Sequence, residues 1–215
     1  MSRYRITNEA MLKREFEKLE KPITLSLFLL SEDHLDSPEI IIYLESICKL
    51  NSKLSLQLYF QSHDPMKFTE YQITEPPTLV IEQAGIRYVG VPTGPESMIF
   101  VQSLIMTSTG TTGVGTAISA ALASLKKNVT IRTIITHDCI ICPLAVKIGN
   151  MLTLETAIRG NGNLTHEIIE SLEHHDYVSK FDLASVPIIL INNEVAFRGI
   201  PKVDPYVSKI IQAGR

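Results

Sequence analysis

The most constraining feature of this chain is that it repeats itself. Residues 31–38, SEDHLDSP, align with residues 136–143, THDCIICP. Ser31 meets Thr136, Asp33 meets Asp138, Leu35 meets Ile140 and Pro38 meets Pro143. Later, residues 76–92, PPTLVIEQAGIRYVGVP, align with residues 186–201, VPIILINNEVAFRGIP. Pro77 meets Pro187, Gly90 meets Gly199 and Pro92 meets Pro201, with one residue of slack at the turn. Two anchor sets in the same order point to two copies of one small unit. The 215 residues therefore divide into an expected unit 1–108 and a second unit 109–215.

Local patterning gives each copy the same element order. The first twenty residues place Met11, Leu12, Phe16 and Leu19 at helical spacing among charges, and Pro22 ends that helix. The β-branched run Ile23 to Leu30 reads as a buried strand. A helix from Ser37 to Leu50 follows, with Ser37 as N-cap and Pro38 in the first turn. Strand 54–60, a short helix 65–71, a hairpin of strands 78–82 and 86–91, and a helix 96–106 complete the unit. After the small-residue stretch 107–115 comes a helix 116–127. The pattern then returns: strand 129–136, helix 140–159, strand 165–171, a short helix near 173–183, hairpin strands 188–191 and 195–198, and a last helix 202–213. Two strands enclosing a helix imply a parallel unit, and a tight turn implies an antiparallel hairpin. Each copy is thus expected to be a mixed sheet with helices on its faces.

Composition narrows the class. The net charge of −3 disfavours a phosphate-coating nucleic-acid binder. With 45% hydrophobic and 20% charged residues, the chain can build a core. Three cysteines are an odd number, too few for a disulfide-stapled secreted domain. The charged N-terminal stretch lacks a signal-peptide core, and no run reaches the ~20 apolar residues of a membrane span. A cytoplasmic globular protein without membrane or nucleic-acid partners is expected.

The chemistry is concentrated at Cys139-Ile-Ile-Cys142-Pro, after a strand and at a helix start. Positions i and i+3 there lie on one face about 5–6 Å apart, within the usual Cα separation of a disulfide. The helix N-terminus offers unpaired N–H groups and partial positive charge to the first sulfur. Lowering a thiol pKa from ~8.5 to ~7 raises its thiolate fraction at neutral pH more than tenfold. Cys139 is therefore the expected nucleophile and Cys142 the resolving thiol. Asp138 opposes a thiolate beside it. Ile140 and Ile141 make an apolar rim suited to exposed hydrophobic segments. Two other readings of the pair stand beside this one. One is half of a zinc site with His137 and Asp138, although no second ligand pair at the usual spacing lies nearby. The other is inert thiols in a binding module.

Other signals are weaker. Gly110-Thr-Thr-Gly113-Val-Gly115 lacks the Gly-Lys-Ser/Thr ending of a phosphate loop and no strand leads into it, so it reads as a linker. Cys48 follows Leu44 by four and reads as a packed core thiol. His174-His175-Asp176 reads as a solvated face, and Lys147 as a solvent-reaching side chain.

A strand, a CxxCP helix start and a Val-Pro before a hairpin strand resemble the thioredoxin/glutaredoxin pattern. Two such units resemble the archaeal-type protein disulfide oxidoreductases and, equally, the N-terminal domain of the alkyl hydroperoxide reductase flavoprotein. The stretches 85–104, 136–150 and 185–199 carry the likeness. It implies an α/β fold of two tandem thioredoxin-like units, each a mixed four-stranded sheet with flanking helices. It implies that Pro187 is a cis-proline lying against the dithiol, that Val186 offers backbone groups to an extended substrate, and that Pro77 is the cis-proline of the first unit. His34 and Ser37 stand where the family's two-site members have cysteines, so the first unit is expected to be redox-dead and structural. Glu96, in Gly94-Pro95-Glu96-Ser97, matches the glutamate of a Gly-His-Glu-Phe segment taken to act as acid/base at the dithiol, although its neighbours differ. A carboxylate favouring a helix start is the plainer reading of Glu96.

The expected activity is thiol–disulfide exchange without a bound cofactor. By the same likeness, a thioredoxin-reductase-like flavoprotein donates electrons, and a peroxiredoxin or another protein disulfide accepts them. The reverse direction, oxidation or isomerisation of protein disulfides, uses the same residues.

Overall fold

The computed structural model describes residues 4–179, 181 and 185–215. Eight strands form one sheet in the order β2-β1-β3-β4-β6-β5-β7-β8. They are β1 Ile23–Leu29, β2 Leu54–Phe60, β3 Thr78–Ile81, β4 Ile86–Val89, β5 Val129–Ile135, β6 Leu164–Glu170, β7 Ile188–Ile191 and β8 Glu194–Arg198. The helices are α1 Glu9–Phe16, α2 Ser37–Cys48, α3 Pro65–Glu70, α4 Ser97–Thr109, α5 Thr116–Ala123, α6 Cys142–Arg159, α7 His175–Val178 and α8 Val203–Ala213, with a 3-10 turn Gly94–Glu96 before α4.

The two halves of the sheet follow one path. β1 pairs in parallel with β2 over seven residues, and β5 does so with β6. Each half then adds an antiparallel hairpin, β3–β4 or β7–β8. The expected pair of mixed four-stranded units is present. The structure joins them edge to edge, β4 pairing in parallel with β6 from Ile86↔His166 to Val89↔Ile169. That pairing satisfies two edges that would otherwise present unpaired backbone groups.

Alternation along the strands explains the layers, since neighbouring side chains point to opposite faces. Leu25, Leu27 and Leu29 enter one large core cluster, while Phe28 packs with Phe68, Ile73 and Val80 on the other face. In β7, Ile189 and Ile191 face the cluster containing Tyr206 and Ile210, while Ile188 and Leu190 face the one with Val178. The large cluster crosses from the first half to the second, taking in Ile135, Cys142, Val146, Leu154 and Ile168. Its burial holds the start of α6 in place.

Several boundaries differ from the sequence reading. The first helix covers only Glu9–Phe16, because Asn8 caps it by accepting from the Met11 N–H at 2.9 Å. Asp36, not Ser37, is the N-cap of α2, and Ser37 is buried inside the first turn. α4 continues to Thr109 and ends on Gly110 in the left-handed region, so the linker is shorter than expected. It is also anchored, the Thr112 hydroxyl donating to the buried Glu155 carboxylate. The short helix read near 173–183 is α7; residues 180 and 182–184 lie outside the described residues. Among the described residues, no helix is long and apolar enough to cross a membrane.

Candidate functional site

β5 delivers the chain to residues 136–141, and α6 begins at Cys142 with Pro143 in its first turn, where a missing N–H costs little. Cys139 and Cys142 are disulfide-bonded, their Cα atoms 5.5 Å apart. The Cys142 N–H points at the Cys139 sulfur from 3.1 Å. Cys142 is fully buried in the large cluster, whereas Cys139 is half-buried at its border. Ile140, Ile141 and Leu144 are exposed around the pair. A helix-start amide that donates to the outer sulfur favours negative charge there, and the apolar rim favours an apolar partner surface.

The peptide bonds preceding Pro187 and Pro77 are both cis. Val186 borders the same core cluster as Cys139. On the matching first-half loop, His34 is exposed and Ser37 is buried. A cavity of about 440 Å³ opens there, lined by His34, Ser37, Glu75, Pro77, Leu172 and His174 among others.

Glu96 sits on the turn that abuts the cysteine loop. The Thr93 hydroxyl lies 3.2 Å from His137 Nδ1. Gly94, at φ +56°, sits so close that an added Cβ would be 3.1 Å from the His137 carbonyl oxygen. The Tyr43 hydroxyl donates to the Pro92 carbonyl at 3.0 Å and fixes the approach to this turn. Glu96 itself is 2% exposed, and neither carboxyl oxygen has a hydrogen-bond partner among the described residues. Burial pushes its pKa up to about 7, partly offset by the positive field of His137. Glu96 is the N-cap residue of α4 but makes no side-chain cap bond.

His137 has a larger place here than the sequence reading gives it. Its backbone N–H donates to Glu170 at 3.1 Å, and Nε2 lies 2.7 Å from Glu173 Oε1. The Glu173 N–H donates in turn to Glu170 at 2.6 Å. Gly90, at φ +107°, leaves room for Glu173, whose Oε2 would lie 2.9 Å from an added Cβ. The parallel register Ile135↔Glu170 is the signal that reveals this cluster, since it sets the ends of β5 and β6 side by side. Donor atoms of His137, Glu170 and Glu173 lie within 4.8 Å of one another, a spacing that suits a divalent cation. Here the same atoms largely satisfy one another.

The histidine tract is not wholly a solvated face. His174 is buried, its pKa lowered by that burial, with Glu75 at 3.8 Å, while His175 is exposed. Cys48 is half-buried against the core and its pKa is pushed up to about 12, first by burial and then by Glu45. That makes it a poor nucleophile at neutral pH.

Comparison with known proteins agrees with this fold. The chain superposes on a protein disulfide oxidoreductase from Aeropyrum pernix with a TM-score of 0.90 and 26% identity, covering 99% of this chain and 97% of that one. It superposes on the N-terminal domain of the alkylhydroperoxide reductase AhpF from Enterococcus faecalis with a TM-score of 0.81 and 22% identity, covering 94% and 97%. Among curated proteins it is 24% identical to the AhpF-type alkyl hydroperoxide reductase component of Pseudomonas aeruginosa over 202 residues, 94% of this chain. The chain spans only 36% of that relative's length. No protein-family model matches the chain.

Proposed function

We propose that the chain is a thiol–disulfide oxidoreductase working through Cys139 and Cys142. One observation carries the reading: a bonded cysteine pair at a helix start, with the outer sulfur reachable and the inner one sealed. In the reduced state the Cys139 thiolate attacks a substrate disulfide, forming a mixed disulfide and releasing one substrate thiolate. The Cys142 thiolate then attacks Cys139. The Cys139–Cys142 bond forms, and the second substrate sulfur leaves with the bonding electron pair and takes a proton. Two electrons have moved to the substrate. A dithiol or reductase must return them.

Val186 and Pro187 form the edge on which an extended substrate segment lies, and Glu96 takes the Cys142 proton. A carboxyl with a pKa near 7 suits that task at neutral pH. The organisation we favour is a unit 1–108 that supports the site and a unit 109–215 that carries the thiols. Similarity to proteins named for alkyl hydroperoxide reduction supports a relay from a flavoprotein reductase to a peroxiredoxin, which we place in the cytoplasm. Such a relay predicts a reduction potential near that of thioredoxin, about −270 mV; a value well above about −200 mV would reverse the direction to disulfide formation.

The test is substitution of each sulfur. Cys142→Ser should accumulate mixed disulfides with its partners, visible on non-reducing gels. Cys139→Ser should lower insulin or peroxiredoxin reduction by at least about a thousandfold. Full activity in Cys139→Ser would sink the assignment.

A further inference from the structure

Glu96 poses a question that the exchange mechanism leaves open. A carboxyl that collects a thiol proton must hand it on before the next cycle, yet this one is buried, with no hydrogen-bond partner among the described residues. We infer that His137 is its proton outlet, passing protons between Glu96 and solvent. This rests on the reading of Glu96 as the acid/base of the exchange.

The geometry supports it in three ways. Firstly, the turn bearing Glu96 is pressed against His137 through Thr93 and Gly94. Secondly, Glu96, His137 and Glu170 line one cavity of about 10 Å³ whose other walls include Val89, Val91, Ile135 and Ile168. That is about the least volume that admits one water, and Glu96, His137 and Glu170 are its titratable walls. Thirdly, exposure rises outward: Glu96 is 2% exposed, whereas the His137 side chain is 21% exposed. The charged groups facing His137 are Glu96 from the 3-10 turn, Glu170 from the end of β6 and Glu173 just after it. Asp138 follows it in its own loop. An imidazole accepts a proton on one nitrogen and releases one from the other. Its two nitrogens here look toward groups on different elements, Thr93 and Glu173.

The step balances without electron transfer. The Cys142 thiol loses its proton to the Glu96 carboxylate and keeps its electron pair. The carboxylic acid passes the proton to His137. The imidazolium releases it to solvent at its exposed edge, and Glu96 is again a carboxylate.

Chemical rescue tests this. The release of substrate thiol by the reduced full chain would be followed with a fluorescent peptide disulfide, in dilute buffer and with rising imidazole. His137→Ala and the bulkier His137→Gln should each be at least about tenfold slower in dilute buffer. Added imidazole should restore both, with saturation, and leave the unaltered protein unchanged. Glu96→Gln should be slow and not restored. A His137→Ala variant at full rate, or a slow one that imidazole does not restore in either variant, overturns the proposal. If the unaltered protein releases no thiol, the oxidoreductase reading has failed instead.

Discussion

The loops before α2 and α6 hold the same position in their halves of the sheet, yet only one can carry disulfide chemistry. The residue before each helix has nearly the same backbone, φ −98° and ψ −11° at Asp36 and φ −98° and ψ −19° at Ile141, and the nearby hairpins match as well. The Gly90 N–H donates to the Pro77 carbonyl at 2.8 Å, and the Gly199 N–H donates to the Pro187 carbonyl at the same distance. Both loops place an outer residue toward solvent and an inner one in the core, His34 and Ser37 in one, Cys139 and Cys142 in the other. The side chains differ throughout. Pro76 has no N–H where Val186 has one. After its hairpin the first half presents the buried Glu96, whereas the corresponding place in the second half holds the exposed Pro205. Backbone pairing thus tolerates the loss of chemistry. The half without thiols still supplies Thr93, Gly94 and Glu96 to the surroundings of His137, two residues before the other half's pair.

This contrast can be broken at its strongest point by Glu96→Gln. We expect the resolving step to slow about a hundredfold, the usual span for losing a general acid or base. Stability should respond as well. The folded pKa near 7 lies above the ordinary 4.5, so the contribution of Glu96 is fully present below pH 4.5 and is lost as pH rises through 7. Its ionisation then costs on the order of 3 kcal/mol. Thermal melts of Glu96→Gln should therefore be flatter than those of the unaltered protein across that window. Equal slopes would show that Glu96 ionises freely.

Val186→Pro makes the second edge resemble the first. Position 76 shows that the fold accepts proline there, so the expected cost is one backbone donor to the substrate. That amounts to about a fivefold to tenfold rise in KM for a peptide disulfide, with little change in kcat. No change in KM would remove the docking role of Val186.

The reverse experiment, His34→Cys with Ser37→Cys, should have the smallest effect on turnover. The two positions should form a disulfide, seen by mass spectrometry as the loss of two hydrogens. Overall activity should change less than about twofold, because the first edge lacks a donor and its cavity is lined by the partly exposed Asp36 and Glu75. A doubling or more would mean that thiols alone make a site.

Much of this is legible from the residues because it is local. The cysteine spacing, Pro143 and the β-branched runs of β1 and β5 each act within a few positions. The β4–β6 junction is not, since the pattern of a strand says that it pairs but not with which distant edge. His166 illustrates the same limit. In sequence it is part of an ordinary strand, yet it is fully buried, with Asn150 Oδ1 at 2.6 Å from Nδ1 and the Thr133 hydroxyl at 2.7 Å from Nε2. Burial lowers its pKa to about 3. The stability it contributes is present above pH 6.5 and is lost as pH falls toward 3. Gly149 makes the arrangement possible, since a Cβ there would collide with the His166 ring. Only the register of α6 over β6 reveals that need.

The shared edge between β4 and β6 has a thermodynamic consequence. Two compact units tethered by a linker can melt separately, whereas a ladder running through both, with one core beneath it, couples their unfolding. A calorimetric scan should then show one transition whose van't Hoff and calorimetric enthalpies agree. Strands β4 and β6, in mid-sheet, should give up their amide protons only when the whole molecule opens.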